Sequence, residues 1–265
     1  MSTTAAPGGQ MTLVEHLAEL RRRLIISVLA IAFGMVVITV FYNDIIQWLV
    51  EPYCSAFADE KAFEPTSGDE LPRDCQLLQT DPMEGFNVRI KTTTYGAIAV
   101  AMPVLLWQLW RFIAPGLYDN EKRYAVPFVF SGLVLFFLGA ALAYWTLPNA
   151  LDFLGDIGGG GLFEQQYQPG KYFQLVTYMM LAFGVGFEFP IVLVFLQLAG
   201  VLQAATLRKV RRYAYVGISI LVAVITPSGD PISMLALSIP MGLFYEISIL
   251  VGAWMTRGRG TLEPA

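Results

Sequence analysis

The sequence predicts an all-α membrane protein of six transmembrane helices, and three observations carry that prediction. Hydrophobic residues fill 55% of the 265 positions and charged residues 14%, with a mean hydropathy of +0.56, a balance too apolar for an ordinary soluble domain. Apolar runs recur at about 24–42, 85–113, 125–147, 172–198, 213–226 and 232–255, bounded by charged or turn-forming residues. When these runs are threaded through a bilayer, 12 of the 17 Lys and Arg fall on one side and 5 on the other. The basic side is cytoplasmic by the positive-inside rule, so both termini lie inside.

Composition also narrows the function classes. The net charge of -4 comes with no basic, aromatic-interleaved groove, so no nucleic-acid partner is predicted. The single histidine, His16, precedes the first span, which leaves intramembrane acid-base and metal chemistry without its commonest residue and points away from an enzyme. Neither cysteine has a His or second Cys at metal-ligand spacing, and no cofactor is predicted. The glycine run Gly158–Gly161 is not followed by a Lys-bearing helix start at P-loop spacing, so it reads as flexible chain.

The elements follow in order. Residues 1–10, small and polar with Pro7, Gly8 and Gly9, are expected to form a mobile cytoplasmic tail ahead of a transmembrane domain over 11–255; 256–265 form a second cytoplasmic tail. In Met11–Leu24, Leu13, Leu17, Leu20 and Leu24 share one helical face while Glu15, Glu19, Arg22 and Arg23 occupy another. Arg21, Arg22 and Arg23 then stop at the apolar run 24–42, which is too long for a signal peptide and is read as a retained first span.

Asn43–Pro82 is an acidic outer loop of 40 residues holding Cys54 and Cys75. Because the outer side is oxidising, a Cys54–Cys75 bridge is expected there, contributing about 3 kcal/mol. Ile45, Ile46, Trp48, Leu49 and Val50 suggest a short amphipathic helix on the outer interface, with a capped loop as the alternative. The second span, interrupted by Pro103, carries Arg89 and Lys91 at its outer end, where both can snorkel to headgroups, and Trp107, Trp110 and Arg111 at its inner end. An inner loop with Glu121, Lys122 and Arg123 leads to the third span, and Pro148–Lys171 forms a second outer loop.

The fourth span contains Glu188, and a basic inner loop with Arg208, Lys209, Arg211 and Arg212 follows. The fifth span has 14 residues, about 21 Å, against a hydrocarbon core of about 30 Å. The turn Pro227–Pro231 sends the chain straight back, so the last two helices are expected to form a short, shallow hairpin that deforms the bilayer beside it.

Three acids are candidates for function. Glu188 would cost about 2.5 to 3.5 kcal/mol if left in lipid, so it must face the bundle interior or a hydrated cavity, as a functional group or as one half of a helix-locking hydrogen bond. Pro190 adds an acceptor nearby by leaving the Gly186 carbonyl without its helical donor. Glu246 lies near the inner interface and reads as structural. Glu19 is either a surface partner of Arg22 or Arg23, worth about 0.2 to 0.5 kcal/mol, or a carboxylate kept at the membrane surface for a cationic partner.

Five motifs then resemble one family: His16–Leu24 (HLAELRRRL), Trp110–Arg123 (WRFIAPGLYDNEKR), Ala182–Pro190 (AFGVGFEFP), Thr226–Asp230 (TPSGD) and Ile239–Ile247 (IPMGLFYEI). In order and topological place they are similar to TatC, the signal-receptor subunit of the twin-arginine protein translocase. The resemblance runs from about Met11 to Met255. It implies a glove-shaped six-helix bundle of the bacterial cytoplasmic membrane that binds twin-arginine signal peptides on folded cargo and nucleates the export complex. Implied partners are TatA/TatB-type single-span subunits, further TatC copies and membrane lipid.

By motif position, Glu19 and Glu121 correspond to the acids that contact the two arginines. Arg21, Phe112 and Pro52 match other positions important to the receptor, Glu188 matches the membrane-embedded acid, and Asp230 the acid of the short outer turn. The long first outer loop departs from the family pattern. The alternative reading from the residues is a proton-coupled small-solute transporter using Glu188.

Overall fold

The structure, a computed structural model, describes residues 13–57, 77–113, 125–157, 167–198 and 200–256. Among these the chain is helical: α1 (Leu13–Val40), α2 (Tyr42–Phe57), α3 (Glu84–Ile113), α4 (Ala125–Ile157), α5 (Pro169–Phe187), α6 (Phe189–Leu198), α7 (Ala204–Lys209), α8 (Arg211–Ile225) and α9 (Pro231–Thr256). Six crossings result, made by α1, α3, α4, the broken pair α5–α6, α8 and α9. Five of them are long and apolar enough to be recognised on hydropathy alone; α8 is the exception, at 15 residues.

Lipid tails are as apolar as Leu, so close van der Waals contact must hold these helices together. The sequence provides it with small residues. A Cβ on Gly34 of α1 would lie 2.7 Å from the Ala97 carbonyl oxygen of α3, and one on Gly139 of α4 would lie 2.6 Å from that of Phe183 in α5. Around α5 the packing is densest: Val176, Phe183 and Phe187 are fully buried, together with Leu147 and Leu151 of α4 and Leu237, Met241 and Ile249 of α9. By contrast α1 packs along α3 and leaves Leu24, Leu29, Phe33 and Val40 exposed to lipid.

The amphipathic outer piece expected after the first span is α2, 16 residues long. Its Leu49, Val50 and Tyr53 are buried in the main core, so it is an integral part of the bundle as well as an interfacial helix. Third-span boundaries differ from expectation. Helix α4 runs ten residues past Leu147, through Pro148 to Ile157, because Ala150 and Leu151 continue its buried face and packing outweighs the one backbone bond that Pro148 removes.

The final hairpin is asymmetric. Helix α8 is short as expected, about 22 Å, but α9 has 26 residues, about 39 Å, and corrects the expectation that the sixth helix is short too. Its inner half has partners that α8 lacks: the Gln197 amide of α6 donates to the Ser248 carbonyl at 2.9 Å, and Ile249 is fully buried. The hairpin also sits deep. Ser233, third residue of α9, places its Oγ 3.9 Å from Met179 Sδ, and Met179 lies ten residues into α5. The outer turn is therefore sunk by ~12 Å along α5.

Candidate functional site

The inner end of α1 lies against the inner end of α3. There Arg23 bonds the Glu19 carboxylate one turn earlier and reaches across to the Gln108 carbonyl oxygen at 3.4 Å. Of the two candidates for pairing with Glu19, the structure selects Arg23, at i+4, and leaves Arg22 exposed. Only one carboxylate oxygen is engaged: among the described residues Glu19 Oε2 and Arg23 Nε are buried without a partner. Arg21 is exposed beside the pair, and Phe112 is half-buried one turn beyond Gln108. Glu121 lies outside the described residues, so its distance from Glu19 is not part of this geometry.

Glu188 occupies the break between α5 and α6. Pro190 has no N–H to continue the ladder, and the chain passes through a single turn in which Glu188 N–H donates to the Val185 carbonyl at 3.1 Å. That turn aims the carboxylate at α4, where a Cβ on Gly132 would stand 3.1 Å from Oε2 and 2.8 Å from a Leu106 methyl of α3. Glycine at 132 thus makes the space for the acid. Among the described residues Oε1 is buried with no hydrogen-bond partner. About one helical turn outward begins an apolar cavity of about 290 Å³ lined by Ile38, Trp48, Tyr95, Phe137 and Met180.

Three further positions from the sequence reading have clear local roles. Asp230 is buried at the start of α9, where Oδ1 accepts the Ser233 N–H at 2.7 Å, Oδ2 accepts the Ser228 hydroxyl, and Pro231 takes the first helical position. Gly229, at φ +61°, makes the preceding turn possible. Pro52 deprives the Trp48 carbonyl of its helical donor; the Tyr144 hydroxyl of α4 replaces it at 2.9 Å, with its ring stacked on Trp48 at 4.3 Å. Cys54 is buried in the core against α2 and α5 neighbours, whereas Cys75 lies outside the described residues.

Glu246 is engaged on both oxygens, by Arg211 at 2.6 Å and the Tyr215 hydroxyl at 2.9 Å, which ties α8 to α9. Two polar residues that sequence reasoning passed over also join helices. Glu84 is buried at the start of α3, where it accepts the Gly170 N–H at 2.8 Å and so places an anion at the N-terminus of α5. Gln197, the one polar residue of α6, is buried against α9. Its isolation in an apolar run was the available signal.

Comparison with known proteins places this geometry. The family model described as Sec-independent protein translocase protein (TatC) matches residues 15–240. A Sec-independent protein translocase protein TatC of Frankia casuarinae is 41% identical over 97% of this chain and 69% of its own length. The Aquifex aeolicus protein of the same name is 36% identical over 96% of this chain and all of its own. A crystal structure of a twin-arginine translocase receptor TatC superposes with a TM-score of 0.72 at 36% identity, covering 92% of this chain and 100% of that one. A second structure of that receptor, in detergent, gives 0.73 at 37% identity over 90% and 99%.

Proposed function

We propose a signal-receptor site from the premise that the chain belongs to the Sec-independent protein translocase (TatC) family, as the matched model and relatives establish. It is a multi-pass subunit of the twin-arginine translocase in the bacterial inner membrane, a six-helix, glove-shaped bundle. The finer reading is that Glu19 and Glu121 receive the two arginines of a signal peptide on folded cargo, with Arg21 and Phe112 at the edge of the site. Pro52 and Asp230 keep the outer frame in shape. TatA/TatB-type single-span subunits and further copies of this chain are the partners with which the complex is completed.

The observation that carries the reading is the half-engaged Glu19 carboxylate, with one oxygen on Arg23 and the other without a partner among the described residues. Arginine suits such a place because its planar fork offers two parallel donors, which Lys cannot reproduce. In the empty receptor Arg23 is a stand-in that an incoming guanidinium displaces. Two charge-assisted contacts of about 1.5 to 3 kcal/mol each fall short of the roughly 8 kcal/mol of a micromolar complex. Apolar burial must supply the rest, and the route past Glu188 to the cavity beyond Phe137 offers a surface for the signal's apolar segment.

Site-specific crosslinking from positions 19 and 121 to Arg-Arg and Lys-Lys signal peptides tests the proposal. Strong crosslinks to the first and weak ones to the second are expected; equal yields would remove arginine recognition from this surface. The alternative of a proton-coupled transporter through Glu188 finds no support in the family or in the relatives' names.

A further inference from the structure

Above the sunken turn of the α8–α9 hairpin, on the outer side, lies a notch of about 370 Å³ between α5 and the end of α8. Its α5 wall is Lys171, Gln174, Leu175 and Tyr178; its floor is Val224, Ile225 and Pro227. The polar groups of the wall are an unusual set. Lys91 of α3 donates to Gln174 Oε1 at 2.7 Å, which fixes the amide and leaves its NH2 as what Gln174 presents elsewhere. With the Lys171 ammonium and the Tyr178 hydroxyl, the notch is lined by donors and, among the described residues, by no carboxylate. Two acids on flanking elements, Glu84 and Asp230, are already engaged by the backbone N–H groups of Gly170 and Ser233.

The depth of the notch matters as much as its charge. Helix α8 spans about 22 Å where a bilayer offers about 30 Å of hydrocarbon, so lipid beside it must thin and its headgroups must descend. The sunken turn puts the descending headgroups at the level of Gln174 and Tyr178. Taken together the outer segments are acidic, with 14 of the 21 Asp and Glu, and repel anions; the two lysines here do the opposite.

We propose that this notch binds the phosphate of an anionic phospholipid of the outer leaflet, held by Lys171, Gln174 and Tyr178, with Lys91 behind Gln174. The bound lipid would fill the step between the tall helix α5 and the short hairpin and seal the bilayer where it is thinnest.

Native mass spectrometry of the full chain, released from micelles holding equal phosphatidylglycerol and phosphatidylcholine, reads the retained lipid directly. The wild type is expected to keep phosphatidylglycerol preferentially, the Lys91→Gln/Lys171→Gln variant to lose that preference by about fivefold per lysine, and Lys171→Arg to retain it. Should the double variant not fold, Lys171→Gln alone, at an exposed position, reads the same difference. Equal retention of the two lipids by the wild type, or an unchanged preference in the lysine variants, overturns the proposal. Inorganic phosphate separates the possible sources: retention that survives it supports a lipid site, and complete displacement by phosphate alone overturns it.

Discussion

Glu188 and Glu246 are the two acids within the apolar spans, and the helices around them treat them in opposite ways. Both oxygens of Glu246 are engaged, by Arg211 and Tyr215 of the neighbouring helix, so the acid serves to join α8 to α9. Glu188 stands at a helix break, opposite a glycine, with Oε1 buried and unpartnered among the described residues. A buried carboxylate oxygen with no partner among the described residues costs the fold more than it contributes to it. Glu19 falls between the two, with one oxygen engaged and the other without a partner among the described residues.

Substitutions can break or sharpen this contrast. The largest effect is expected at the half-engaged site: Glu19→Ala with Glu121→Ala removes two charge-assisted contacts and should weaken binding of an Arg-Arg signal peptide more than about 100-fold while membrane assembly persists. Isothermal titration with purified receptor would show it, and unchanged affinity would take both residues out of the site. Next comes the fully engaged cap. Asp230→Ala should lower unfolding stability by about 1 to 2 kcal/mol in a detergent melt, and Asp230→Asn, which still caps, by less.

Glu246→Gln keeps the shape but weakens the contact to Arg211, and a loss of about 1 kcal/mol is expected in the same melt. Smaller still is Arg23→Gln, which removes the stand-in at Glu19; an i,i+4 pair of about 0.3 to 0.5 kcal/mol predicts roughly twofold tighter signal binding. Weaker binding instead would mean that Arg23 orients Glu19. Glu188→Gln should leave the melting temperature level or slightly raised, yet depress export in a complementation assay. A drop in stability with full export would reverse the contrast and make Glu188 a helix lock.

Much of this architecture was legible beforehand for a local reason. Span positions, the inner side and the shortness of α8 follow from hydropathy and from where Lys and Arg fall, and each of these is a property of a few neighbouring residues. Boundaries that depend on packing were not legible. Pro148 looks like a helix end, yet α4 continues through it because Ala150 and Leu151 find a core to enter. The sixth helix was expected to be short like the fifth, yet α9 fills the whole apolar run 232–255, where α6 offers it Gln197 and the surface around Ile249. Motif order identified Glu19, Glu188, Pro52 and Asp230 as residues of interest, but it could not state what each touches.

By itself the sequence determined the fold class, the six crossings and the orientation, because the bilayer reads hydrophobicity and charge segment by segment, and its five motifs carried the family resemblance. Tertiary structure alone decided which polar groups are satisfied. The Tyr144 hydroxyl meets the carbonyl that Pro52 frees 96 residues away, Glu84 caps a helix 86 residues away, and Glu246 finds Arg211 at 35. No local pattern encodes such pairings, since they exist only once small residues such as Gly34 and Gly139 let the helices approach. The same close packing put Gly132 opposite Glu188, and so left that carboxylate room and, among the described residues, no partner on Oε1.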